Sequence, residues 1–215
     1  MHDLRGHGRS ETLRGHADQL EQFVEDAVAF VRLVKNEIGA KTFLLGHSTG
    51  GLIAVLAAAE LEGELAWLIT SGVAVEVKVG LLARLTLQLL GAPRPMSRVA
   101  TPVAAELLSK DPNVVQQYLS DPSVFKDPTV KLLVEFGKAT AKAWDAAKKV
   151  KVPALIVHGG DDRLVLPYAL EKLYEALASA DETLKMYEGL RHEIFNEVER
   201  EKVLSCVVER LNKHV

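Results

Sequence analysis

Cysteine occurs once, as Cys206, so no disulfide can form within the chain, and a reducing compartment is the expectation. Positive charge is not in excess either: 26 Lys and Arg against 29 Asp and Glu leave a net charge of −3. Without a basic field to gather phosphates, a small molecule and not nucleic acid is the expected partner. Also missing is any apolar run near the roughly 18 residues that suggest a membrane span. Met1-His2-Asp3 does not open a secretory leader, so a cytoplasmic protein without a transmembrane segment is expected. The histidines and carboxylates lack metal-ligand spacing such as H-E-x-x-H, and neither metal nor cofactor is expected. Nor do repeats or low-complexity tracts divide the 215 residues, 48% of which are hydrophobic. Such a chain can bury the core of one domain, with room for an inserted sub-domain.

What is there is an alternation of amphipathic stretches and short apolar runs. From about Ala17 to Ile38, Leu20, Phe23, Val24, Ala27, Val28, Val31, Val34 and Ile38 recur every three or four residues, which makes one helical face ended by Gly39. Thr42-Phe43-Leu44-Leu45, closed by Gly46, is too short for a helix and does not alternate, as expected of a central parallel strand covered on both faces. An Ala-rich helix from Leu52 to Leu61 and a second covered strand, Leu65 to Thr70, continue the order. Between Val73 and Lys149 the rhythm breaks into helical pieces separated by Gly91, Pro93, Pro95 and three Asp-Pro steps, without a strand. Strands return at Ala154 to Val157 and Thr183 to Tyr187, with helices near Tyr168 to Ala178 and Glu199 to Leu211. The pattern predicts a parallel α/β sheet, core at 1–72 and 150–215, with a helical cap inserted at 73–149.

Chemistry enters where the first strand meets the second helix. Gly46-His47-Ser48-Thr49-Gly50 is a G-x-S-x-G turn in the strand-to-helix context that gives the pattern its meaning. Glycines on either side let strand and helix approach, the serine takes a strained backbone, and Gly51 adds room. Ser48 is the candidate nucleophile, and the Thr49 backbone N–H, at the start of the new helix, is a candidate oxyanion donor. A serine hydroxyl needs a base, and the base a carboxylate that fixes its tautomer. His158-Gly159-Gly160-Asp161-Asp162-Arg163 follows the third strand and Gly189-Leu190-Arg191-His192-Glu193 follows the fourth, so both loops fall at the sheet edge that carries Ser48. His192 is the candidate base, and either Asp161 or Asp162 the acid. The order Ser, Asp, His is that of the G-x-S-x-G hydrolases.

Four pieces, read together, resemble the monoacylglycerol lipase and lysophospholipase-like branch of the α/β-hydrolases. They are Asp3-Leu4-Arg5-Gly6-His7-Gly8-Arg9-Ser10, Phe43 to Leu52 around Ser48, Val157 to Val165, and Tyr187 to Glu193. The likeness runs through nearly the whole chain in the family's order. It implies that Asp162, directly before Arg163, is the acid and that Asp161 turns or caps the loop. It also implies a serine carboxylic ester hydrolase acting on monoacylglycerols, lysophospholipids or other acyl esters through an acyl-serine. Acyl transfer or thioester hydrolysis by the same triad, and a catalytically impaired fragment or binding protein, are the alternative expectations. Thr49 stands where the family usually has Met or Leu, which leaves its main-chain donor untouched. In the family the Arg-Gly-His-Gly loop follows several strands and a His-Gly motif that supplies a second oxyanion donor. Here two residues precede the Asp3 to Ser10 piece that holds it, giving the expectation of an N-terminally truncated core whose 42–45 strand is an open edge, available to a second copy in a homodimer. Val79, Leu81, Leu82, Leu85, Leu87, Leu89 and Leu90 of the cap are expected either to line an acyl pocket or to pack the cap on the sheet.

Overall fold

The computed structural model describes residues 3–39, 41–76, 93–101 and 103–213. Helix α1 (Glu21–Ile38) ends where Gly39 takes φ 65° and donates its N–H to the Lys35 carbonyl, the left-handed cap that glycine allows without strain. It starts later than its apolar face suggests: Ala17 and Leu20 are buried, but from the irregular stretch ahead of the helix. Strand β1 (Phe43–His47) leads through Ser48 into α2 (Thr49–Glu60), followed by β2 (Trp67–Ser71). A single 3-10 turn (Ala105–Leu107), α3 (Pro112–Ser120) and α4 (Val130–Ala147) come before β3 (Ala154–Gly159). The chain closes with α5 (Pro167–Ala176), β4 (Glu182–Tyr187) and α6 (Arg200–Asn212).

All pairings are parallel and the strand order is β1-β2-β3-β4, so the carboxyl ends of β1, β3 and β4 share one edge. Every residue of β2 and β3 is buried. On one face Leu68, Ala154 and Ile156 pack in the main core with α1, α2, α4 and α5. On the other, Val203 and Val207 of α6 pack with Trp67, Ile69, Leu155 and Val157. Helix α2 is apolar on every side because it lies between the sheet, α1 and α4. Ala139, Ala143 and Ala147 form a small-residue row, one per turn, all buried where α4 packs in this layer.

One expectation needs correction. Strand β1 is not the central, doubly covered strand that its apolar run suggests but, as the resemblance implies, an edge of the sheet among the described residues, and Leu45 is 49% exposed. Its face is the one that α6 covers over β2 and β3, and no helix among the described residues does the same for Leu45. Between β2 and β3 the described residues contain no strand beyond an isolated Arg98–Thr129 bridge. The apolar set from Val79 to Leu90 lies outside the described residues. No helix among the described residues is long and apolar enough to cross a membrane.

Candidate active site

Ser48 takes φ 53° and ψ −118°, and among the described residues no other non-glycine has positive φ. That strain persists because neighbours hold the turn on both sides. The Ser48 N–H donates to the Ser71 carbonyl at 2.8 Å, and the Ser48 carbonyl accepts from Leu52 at 3.1 Å and Ala74 at 3.2 Å. Crowding falls unevenly on the glycines. A Cβ at Gly46 would lie 2.2 Å from the Gly50 carbonyl oxygen and one at Gly51 would lie 3.1 Å from Val73, whereas Gly50 has open space. Thr49 is the first residue of α2, so its N–H has no intrahelical acceptor.

The three sequence-selected side chains meet. Ser48 Oγ is 2.9 Å from His192 Nε2, and His192 Nδ1 is 2.7 Å from Asp162 Oδ2. Asp162 Oδ1 accepts the Leu164 and Val165 amides at 2.8 and 3.0 Å, so both carboxylate oxygens are partnered. Asp162 and His192 are buried, only 2% and 4% exposed. Burial opposes ionisation of Asp162, yet His192 and the Val165 amide hold its carboxyl below the usual carboxylate range. Asp161 turns outward and pairs with Lys110 at 3.3 Å. The geometry therefore separates two adjacent carboxylates that spacing left equivalent.

Close approach of the two loops explains the other glycines. A Cβ at Gly159 would fall 2.2 Å from the Arg191 carbonyl oxygen, and one at Gly72, where φ is 53°, would lie 3.1 Å from His192 Cε1. Behind the acid, His158 is fully buried with Nε2 3.0 Å from the Val165 carbonyl. Burial pushes its pKa down, so the neutral ring donates Nε2–H to Val165. His7 lies away from the site between Phe23 and Phe125, and His16 faces Thr129.

Sequence reasoning passed over Glu197, which is 1% exposed. Its carboxylate accepts from Ser109 Oγ (2.9 Å), Lys110 N (2.9 Å) and Arg191 N (3.0 Å), pinning the His192 loop to the stretch after the 3-10 turn. A Glu three residues before a helix, beside Glu199, carries no signal of burial. Also missed were Gly72 and Glu193, the latter hidden by its exposed-looking charge beside His192.

Residues 1–199 match the family described as serine aminopeptidase, S33. A monoacylglycerol lipase of Mycolicibacterium smegmatis is 36% identical over 220 residues, covering 99% of this chain and 77% of that protein. The crystal structure of the Paleococcus ferrophilus monoacylglycerol lipase superposes with a TM-score of 0.87 at 30% identity, covering 99% of this chain and 82% of that one. A soluble variant of the Saccharomyces cerevisiae monoglyceride lipase, solved with a substrate analog, gives a TM-score of 0.89 at 26% identity, over 99% and 76% of the two chains.

Proposed function

This chain belongs to the serine aminopeptidase S33 family of α/β-hydrolases, and on that premise we propose that it hydrolyses carboxylic esters of the monoacylglycerol or lysophospholipid class through an acyl-serine intermediate. The observation that carries the reading is the unbroken relay from Ser48 Oγ through His192 to Asp162, at 2.9 and 2.7 Å. The lipase names of these relatives favour an ester over the peptide bond named in the family description.

Ser48 Oγ attacks the acyl carbon while His192 Nε2 takes its proton, and Asp162 stabilises the imidazolium that results. The Thr49 N–H donates to the oxyanion of the tetrahedral intermediate. Collapse breaks the bond from acyl carbon to alkoxy oxygen, and the proton on His192 passes to the departing alcohol. Water then loses a proton to His192 as it attacks the acyl-serine. The second tetrahedral intermediate expels Ser48, which recovers the proton, and the carboxylic acid leaves.

Hydrolysis of p-nitrophenyl esters from acetate to long acyl chains, and of monoacylglycerol against diacylglycerol, tests the proposal. Ser48→Ala is expected to lose roughly a thousandfold or more in kcat, and the monoacylglycerol to be the better glyceride. Equal rates for wild type and Ser48→Ala would overturn the assignment. A preference for peptide or amide substrates would overturn the ester class alone.

A further inference from the structure

A second link joins the two loops that the Ser48–His192 hydrogen bond already joins. His47 immediately precedes Ser48, and Glu193 immediately follows His192. The His47 ring places Nδ1 3.2 Å from Ser71 Oγ and Nε2 3.3 Å from Glu193 Oε1. The second contact has ion-pair length but lies off the line of a well-directed hydrogen bond. Both side chains are about three-quarters covered, at 25% and 26% exposure. The His47 and His192 rings stand 4.8 Å apart, and a Cβ at Gly72 would crowd His192 and touch His47. Glu193 is itself fixed: its carboxylate accepts from Asn196 Nδ2 at 2.8 Å, and its N–H donates to the Leu108 carbonyl at 2.8 Å.

We propose that His47 and Glu193 are positioning residues for the hydrolysis. As a pair they tie the nucleophile turn to the base loop and supply a carboxylate charge beside the His192 imidazolium as it forms. The inference rests on the assignment of Ser48 and His192 made above. Burial works against a charge on Glu193, but His47, Asn196 and His192 hold its carboxyl down at about 2, so it is ionised wherever such enzymes are assayed. The groups that face the pair are His192, His158, Ser71 and Asn196, together with Tyr118 from α3. A negative charge that interacts with His192 from the next residue favours the protonated base. Removing it makes the imidazolium harder to form, which lowers kcat and moves the acid limb of kcat/KM to lower pH.

The test uses the whole chain and p-nitrophenyl butyrate, with kcat, KM and pH profiles for wild type, Glu193→Gln, Glu193→Ala, His47→Ala and the double alanine variant. Titration with a fluorophosphonate counts competent Ser48, and circular dichroism checks the fold. Glu193→Ala is expected to lower kcat about tenfold with KM within about twofold. Glu193→Gln recovers part of kcat but keeps the acid limb displaced downwards, which a purely structural role would not do. The double variant is expected to be no worse than about twofold below Glu193→Ala, because the two residues act as one unit. An unmoved acid limb in Glu193→Gln, or fully additive losses, would overturn the proposal, and the isosteric Gln variant decides it if an alanine variant fails to fold. Wild-type turnover dependent on Ser48 with unaffected variants overturns this inference alone. Absence of that turnover overturns both it and the ester-hydrolase reading.

Discussion

Two aspartates at adjacent positions meet opposite fates. Asp162 receives two backbone amides and the His192 ring, while Asp161 reaches a lysine at the surface. Asp162→Asn is therefore expected to lower kcat on the order of a thousand- to ten-thousandfold, because the amide favours the wrong histidine tautomer. Asp161→Asn is expected to stay within about threefold, since it disturbs only an exposed ion pair. Steady-state kinetics on one ester separates the two. Glu193 makes a stability prediction at the same scale. Its folded pKa of about 2 lies below the ordinary 4.5, so the folded state binds this proton less readily than the unfolded chain. The stabilisation is present above about pH 4.5 and is lost as pH falls towards 2, amounting to at most about 3 kcal/mol. Thermal melts from pH 6 to 2.5 are expected to fall less steeply for Glu193→Gln than for wild type.

Elements translate these contacts into tolerance for change. At the carboxyl end of β1 the helix α2 passes so close that Gly46 admits no Cβ, whereas Gly50 faces open space from within the helix. Gly46→Ala is expected to unfold the chain or to cost several kcal/mol through forced displacement of α2. Gly50→Ala is expected to be neutral or to stabilise by up to about 1 kcal/mol, through helix propensity. Melting temperatures of the two variants check the contrast. Both glycines belong to one motif, and spacing gave no reason to rank them. The ranking follows from which Cα faces the neighbouring backbone. Strand β1 also presents Leu45, half exposed at the sheet edge. Leu45→Lys is expected to reduce concentration-dependent association by light scattering without changing turnover, since a charge on an edge strand discourages pairing between chains.

Across the whole molecule, the parallel order β1-β2-β3-β4 brings loops more than a hundred residues apart to one sheet edge. Strand periods, helix faces and the G-x-S-x-G context were legible in the sequence because each is local: covered strands need unbroken apolar runs, and a helix face needs apolar residues every three or four positions. Ser48, His192 and a carboxylate near 162 followed from chain order in the same way. Spacing left the two aspartates equivalent and made β1 look covered, and only the family resemblance pointed to Asp162 and to an edge; tertiary structure alone decided that α4 joins the layer over the sheet through its alanine row and that His47 and Glu193 face each other. Those outcomes depend on side-chain direction and on what lies across a packed surface. Residues that meet there are far apart in the chain, so no local pattern of residue types encodes the meeting.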